Sequence, residues 1–205
     1  MAVIAPSRRI RRTPFTEGVE AAGVKGYTVY NHMLLPTVFR SVEEDYRHLK
    51  TAVQVWDVSV ERQVELRGPD AARLLKLSED RWWISIADSD LLFWVKALAY
   101  GYRLDVLVDE PDVSPLAVQG PLSEDLMARV FGDAVRAIKF FRFGWFDFQG
   151  VSMAVARSGY SKQGGYEIYV DGTKNGMPLW NALMEAGKDL DVHAGCPNLI
   201  ERIEG

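Results

Sequence analysis

Polar and apolar positions are most sharply ordered between Val151 and Val170. Val151 to Ala156 is an apolar run that reads as a strand, and Tyr166-Glu167-Ile168-Tyr169-Val170 alternates as a second one. Between them the chain turns through Gly159, Gly164 and Gly165, so the pair predicts a β-hairpin. Arg157, Lys162 and Gln163 load the turn, and Tyr160, Tyr166 and Tyr169 stand around it. Glu167 falls inside a strand, where acids are disfavoured. Such a carboxylate either sits on a solvated face or aims at a donor-rich partner, and the residues alone leave both open.

Upstream, Thr16 to Ala22 predicts a short helix stopped at Gly23, and Tyr27 to Tyr30 a strand followed by a loop through Asn31 to Pro36. Ser41 with Glu44 three residues later is a capping-box pattern opening a helix to about Thr51. Val53 to Val58 reads as an apolar strand and Glu61 to Leu66 as an exposed, alternating one. A Gly68-Pro69-Asp70 turn then leads a predicted helix from Ala71 to Leu77, and Arg81 to Ile86 is a strand.

Leu91 to about Gly101 carries helical spacing, Leu104 to Val108 and Pro115 to Pro121 read as strands, and Leu126 to Phe131 as a helix ending at Gly132. Phe140 to Phe148 predicts two strands about a Gly144 turn, with its aromatic rings in the core. A helix from Leu179 to Ala186, a strand from Val192 to Gly195 and a helix from Leu199 to Glu204 complete the pattern. Strands and helices mixed in this order predict an α+β fold with helices flanking antiparallel or mixed sheets.

Composition narrows the function classes. The 205 residues carry a net charge of −4, so no basic surplus is available to neutralise phosphates, and nucleic acid is not an expected partner. The apolar stretch Leu91 to Val108 is interrupted by Lys96, Arg103 and Asp105 and does not read as a membrane span. A single cysteine, Cys196, excludes an internal disulfide and fits a reducing cytoplasmic setting. With three histidines (His32, His48, His193) and one cysteine, no metal-ligand spacing appears, and no metal is expected. His32 reads either as a site residue or as a hydrogen-bonded structural one, and Cys196 as a buried structural thiol. Ser7 to Arg12 is a basic arm, so that residues 1–11 precede a domain from 12 to 205.

Seven short motifs occur in a fixed order: Arg12-Thr13-Pro14-Phe15, Val55-Trp56-Asp57-Val58-Ser59, Glu65 to Ala71, Leu116 to Pro121, Arg157-Ser158-Gly159-Tyr160, Gly165 to Tyr169 and Ile200 to Glu204. In this order the chain resembles the aminomethyltransferase (glycine-cleavage T-protein) superfamily. Within it, it is similar to the dimethylsulfoniopropionate demethylase-like tetrahydrofolate methyltransferases. The resemblance implies a folate-binding fold and tetrahydrofolate as cofactor. It gives Glu167 the pterin ring, Tyr160 and Tyr166 possible ring contacts, and Arg202 a place near the folate tail. Alternation sets Tyr166 on the face opposite Glu167.

The implied reaction is transfer of a methyl group from a small sulfonium to tetrahydrofolate. The alternatives are aminomethyl transfer in glycine cleavage, or a folate-binding or truncated relative without catalysis. Lys162-Gln163 stand where aminomethyl-transferring members carry Gly-Glu, which favours the sulfonium branch. Against the family pattern, a strand pair with its acid motif is missing at Leu77–Ser78, and a C-terminal domain is absent after Gly205. The expected fold is therefore an incomplete one, and the residues that would catalyse are not assigned.

Overall fold

A computed structural model describes residues 9–69, 75–78, 80–85 and 90–197. Its internal contacts divide the chain into two compact units, one formed by Met1–Val60 with Ser114–Gly205 and the other by Glu61–Val113. The first unit begins with α1 (Thr16–Ala21), β1 (Gly26–Tyr30), β2 (Met33–Val38), α2 (Val42–Leu49) and β3 (Val53–Asp57). The second holds β4 (Gln63–Arg67), β5 (Leu75–Ser78), β6 (Arg81–Ser85), α3 (Leu91–Gly101) and β7 (Leu107–Asp109). The chain then returns to the first unit through β8 (Val113–Gln119), α4 (Ser123–Phe131), β9 (Phe143–Phe148) and β10 (Val151–Arg157). It continues with β11 (Gly165–Asp171), α5 (Gly176–Ala186) and β12 (Val192–Gly195).

Six strands of the first unit form one sheet in the order β12-β3-β8-β11-β10-β9. The edge pair β12–β3 is parallel, while β3–β8, β11–β10 and β10–β9 are antiparallel. Strand alternation sorts the side chains. Val53 and Val55, Leu116 and Val118, Tyr166 and Ile168, Met153 and Val155 all join one buried cluster with Leu126, Leu179, Trp180 and Leu183 from α4 and α5. That face is the core, and truncating a residue such as Leu183 there costs roughly 2–5 kcal/mol.

The residues between them, Gln54, Trp56, Gln119, Glu167 and Tyr169, take the other face, where Trp56 forms a smaller cluster with Leu49 of α2 and Ala117. Helix α2 is capped as its sequence predicts, with Ser41 Oγ accepting from the Glu44 N–H at 3.2 Å. Asp57, at the end of β3, is buried and accepts from Thr13 Oγ1 at 2.5 Å and Ser59 Oγ at 2.7 Å, tying the Thr13-Pro14 segment to the sheet. Burial pushes its carboxyl above the usual range, against the lowering pull of these hydrogen bonds.

Several expectations need correction. Leu75–Ser78, expected at the end of a helix, is a strand antiparallel to β6, and residues 71–74 lie outside the described part. The Asn31–Pro36 loop is instead a tight turn at Asn31 and His32 followed by β2, which pairs with β1 and contains Pro36. An edge position in a two-stranded ribbon spares that proline a lost ladder bond. Phe143–Phe148 is one strand through Gly144, and the turn comes at Gln149 and Gly150, both at positive φ. The aromatic cluster splits accordingly, with Phe146 and Phe148 in the core and Phe140, Phe141 and Trp145 exposed. The predicted helix from Leu199 lies outside the described residues.

In the second unit the sheet order is β5-β6-β4-β7. β4 was expected to be exposed, yet Gln63 to Leu66 are buried. Glu65 tolerates this because Arg81 Nε, at 2.7 Å, and Trp83 Nε1, at 2.8 Å, donate to one oxygen and Arg67 Nε to the other at 2.7 Å.

Candidate functional site

The β10–β11 hairpin delivers Glu167 to the polar face of the six-stranded sheet. Register sets Ala156 opposite Glu167 and Ala154 opposite Tyr169. Ala156 stays half-buried beside Glu167, whereas Ala154 and Tyr169 are both buried. Ser158 Oγ donates to Glu167 Oε1 at 2.8 Å, and Tyr169 OH donates to Oε2 at 3.2 Å. Both carboxylate oxygens are thus aimed by hydroxyls, while the side chain itself remains half-buried.

The connecting turn is pinned to the same face. Ser161 Oγ donates to Gln119 Oε1 at 2.8 Å, and the Tyr160 ring meets Trp56 edge to face with centroids 6.3 Å apart. Gln119 is fully buried, and its Nε2 finds no partner among the described residues. A Cβ at position 165 would lie 2.3 Å from that nitrogen, so glycine is required for the amide to lie flat over β11.

Tyr166 and Arg157 turn the other way. Tyr166 is 1% exposed inside the helix-side core, beneath the Arg157 guanidinium at 5.4 Å, and Arg157 pairs with Glu124 at 2.7 Å. Burial raises the Tyr166 phenol above its usual value. Of the residues singled out from the sequence, Glu167 and Tyr160 therefore share a face, Tyr166 lies beneath it in the core, and Arg202 lies outside the described residues. His32 is exposed in the β1–β2 turn at φ +61°, with its carbonyl accepting from the Arg11 N–H. The hairpin register carries the information that reveals Ser158 and Tyr169: one follows the last β10 residue, the other lies two residues beyond Glu167.

At the β12 edge, His48, Asp191 and His193 bring three potential ligand atoms within 4.8 Å of one another. The two imidazoles stack 3.9 Å apart and 17° from parallel, so their in-plane lone pairs run side by side and do not converge on one ion. Trp56 Nε1 donates to Gln54 Oε1, which leaves the Gln54 amide nitrogen to donate to His48 Nδ1 at 3.2 Å. His48 Nε2–H then donates to the Asp191 carbonyl at 2.8 Å. Arg40 lies 2.9 Å from His193 Nε2. Burial, with His48 and Arg40 adding to it, lowers the His193 pKa. This cluster is a hydrogen-bonded support for the strand edge.

Residues 74–205 match the GCVT N-terminal domain family. The chain belongs to that family. Across its whole length it is 57% identical, over 239 aligned positions, to the dimethylsulfoniopropionate demethylase DmdA of Ruegeria pomeroyi, of which it covers 66%. An aminomethyltransferase of Geobacillus sp. is 28% identical, with 89% of this chain and 60% of the relative covered. The chain thus spans somewhat less than two thirds of the length of these relatives. Among solved structures, the glycine cleavage system aminomethyltransferase T of Bartonella henselae superposes with a TM-score of 0.73 at 20% identity, over 91% of this chain and 60% of that one. The expected GCVT-type α+β fold, with mixed sheet and flanking helices, is the fold observed.

Proposed function

We propose that this chain binds tetrahydrofolate through Glu167 and moves a methyl group to it from a sulfonium such as dimethylsulfoniopropionate. The observation that carries this reading is the half-buried Glu167 carboxylate, with both oxygens already oriented by hydroxyls. An aminopyrimidine edge presents two parallel N–H donors, which a carboxylate accepts in a charge-assisted pair. Tyr160 supplies a ring contact from the turn, and Arg202 a partner for the acidic tail.

The donor class is supported by the relative named dimethylsulfoniopropionate demethylase and by Lys162-Gln163 in the turn. Tetrahydrofolate would supply a nucleophilic ring nitrogen. As the carbon–sulfur bond breaks, sulfur keeps the electron pair and departs as a neutral thioether, the nitrogen lone pair forms the new bond to carbon, and the nitrogen's proton passes to solvent. Such a leaving group needs no strong general acid, so the chain's own work is orientation and exclusion of water. A small-molecule partner, no nucleic acid and a cytoplasmic setting complete the reading. No helix among the described residues is long and apolar enough to cross a membrane.

Incubation with tetrahydrofolate and dimethylsulfoniopropionate, followed by mass spectrometry, is expected to yield methyl-tetrahydrofolate and the demethylated thioether. Aminomethyl transfer from a lipoyl arm is the second reading, supported by the relatives named aminomethyltransferase. Product from that donor alone would favour it. Tight folate binding with neither product would leave a binding protein without catalysis.

A further inference from the structure

Two buried glutamines stand side by side on the Glu167 face, Gln54 of β3 and Gln119 of β8, opposite each other in register. They hold successive residues of the turn between β10 and β11. Gln54 Oε1 accepts from Trp56 Nε1 at 2.8 Å, and the Trp56 ring meets Tyr160. Gln119 Oε1 accepts directly from Ser161 Oγ at 2.8 Å. The Ser161 hydroxyl is occupied on its other side too, accepting from the Gln163 N–H at 3.3 Å. Beside this contact, the Gly120 N–H donates to the Gly164 carbonyl at 3.0 Å, so the end of β8 grips the turn at its middle and its far end.

The two amides differ in what they leave unmet. Gln54 Nε2 donates to the Asp45 carbonyl at 2.8 Å, so both ends of that side chain are satisfied. The Gln119 amide is oriented by the turn alone. The Ser161 N–H faces the same Oε1 at 3.4 Å, and an N–H can only donate, so the carbonyl end must point to the turn. Nε2 is left against Gly165, buried and without an acceptor among the described residues. A buried donor in that state lowers stability, which an apolar side chain of the same length would not do. What the fold receives in return is the grip on Ser161, in the turn that also carries Ser158 and Tyr160.

We propose that Gln119 is a positioning residue for the Glu167 site. Through Ser161 it holds the turn in the conformation from which Ser158 orients the carboxylate and Tyr160 presents its ring. The inference rests on the proposed binding of tetrahydrofolate at Glu167.

The test compares the unaltered chain with Gln119→Met, Ser161→Ala and the variant carrying both substitutions. Tetrahydrofolate affinity is measured by calorimetry, stability by the urea midpoint, and turn order by amide relaxation of residues 158–164 in the ligand-free chain. The double variant is expected to bind tetrahydrofolate roughly fivefold more weakly, with a urea midpoint equal to or above that of the unaltered chain, because the orphan donor and the hydroxyl it accompanies leave together. Each single variant should lose about as much affinity as the double, since both break one contact. Order at the turn amides should fall in all three. Unchanged affinity in the double variant overturns the proposal, as does a loss matched by a lower urea midpoint or a loss with turn order unchanged. If the unaltered chain binds no tetrahydrofolate, the folate reading falls and the turn amides decide: lower order in the double variant keeps Gln119 as the residue that sets the turn, and equal order removes it.

Discussion

Ser158 donates its hydroxyl proton to Glu167 Oε1 across 2.8 Å, from the first residue of the turn to the third residue of the next strand. The contact orients the carboxylate before any ligand arrives. Ser158→Ala should therefore weaken tetrahydrofolate binding by about 0.5–1.5 kcal/mol, and Ser158→Thr should retain it. Glu167→Gln removes the charge itself and should cost about 1.5–3 kcal/mol of the same affinity. Calorimetric titration of the three variants checks both values, and unchanged affinity in Glu167→Gln would take the residue out of the site.

Gly120 holds φ +119°, and a Cβ there would lie 2.3 Å from the Ala52 carbonyl oxygen. A backbone oxygen held by the Leu122 N–H just ahead of β3 does not yield. Gly120→Ala should lower unfolding stability by roughly 1–3 kcal/mol, measured as a reduced urea midpoint.

Glu65 gathers Arg67, Arg81 and Trp83 within the second unit. Glu65→Ala removes this shared acceptor, while the Arg67 and Arg81 side chains, 51% and 40% exposed, can turn to solvent. The loss should be roughly 1–3 kcal/mol in the stability of that unit, the range for losing a buried hydrogen-bond acceptor. Hydrogen exchange resolved along β4 and β6 would show protection lost there first.

His193 makes stability pH-dependent. Its folded pKa is lowered, by burial first, then by His48 and Arg40, with Asp191 and Asp45 opposing them. The unfolded chain then binds the proton more readily, so this contribution is present above about pH 6.5 and is lost as pH falls through the folded value. His193→Gln should flatten the fall of the urea midpoint between pH 7 and pH 5. An identical profile in both chains would remove the linkage.

Local pattern made much of the first unit readable. The β10–β11 hairpin, α2 with its serine cap, and α4 and α5 follow from periodicity and end signals that neighbours do not override. Leu75–Ser78 misled because its apolar residues suit a helix as well as a strand, and only pairing with β6 decides. Glu65 misled for a related reason: an acid in an alternating strand signals solvent unless donors such as Trp83 and Arg81 converge on it from elsewhere. Glu167 stood out in the sequence. Its two hydroxyl donors did not, because Ser158 and Tyr169 reach the carboxylate only once β10 and β11 pair in register.

The parallel pairing of Val192 with Val53 also bears on how the chain reaches this state. Every residue of the second unit lies between those partners in sequence, whereas its own strands pair over short separations. Low contact order favours early assembly there, and long loop closure delays the β12–β3 edge. During synthesis the second unit can thus form while the sheet bearing Glu167 still waits for its later strands. A protease cut within that unit would leave two fragments held together by the sheet, separable only in denaturant.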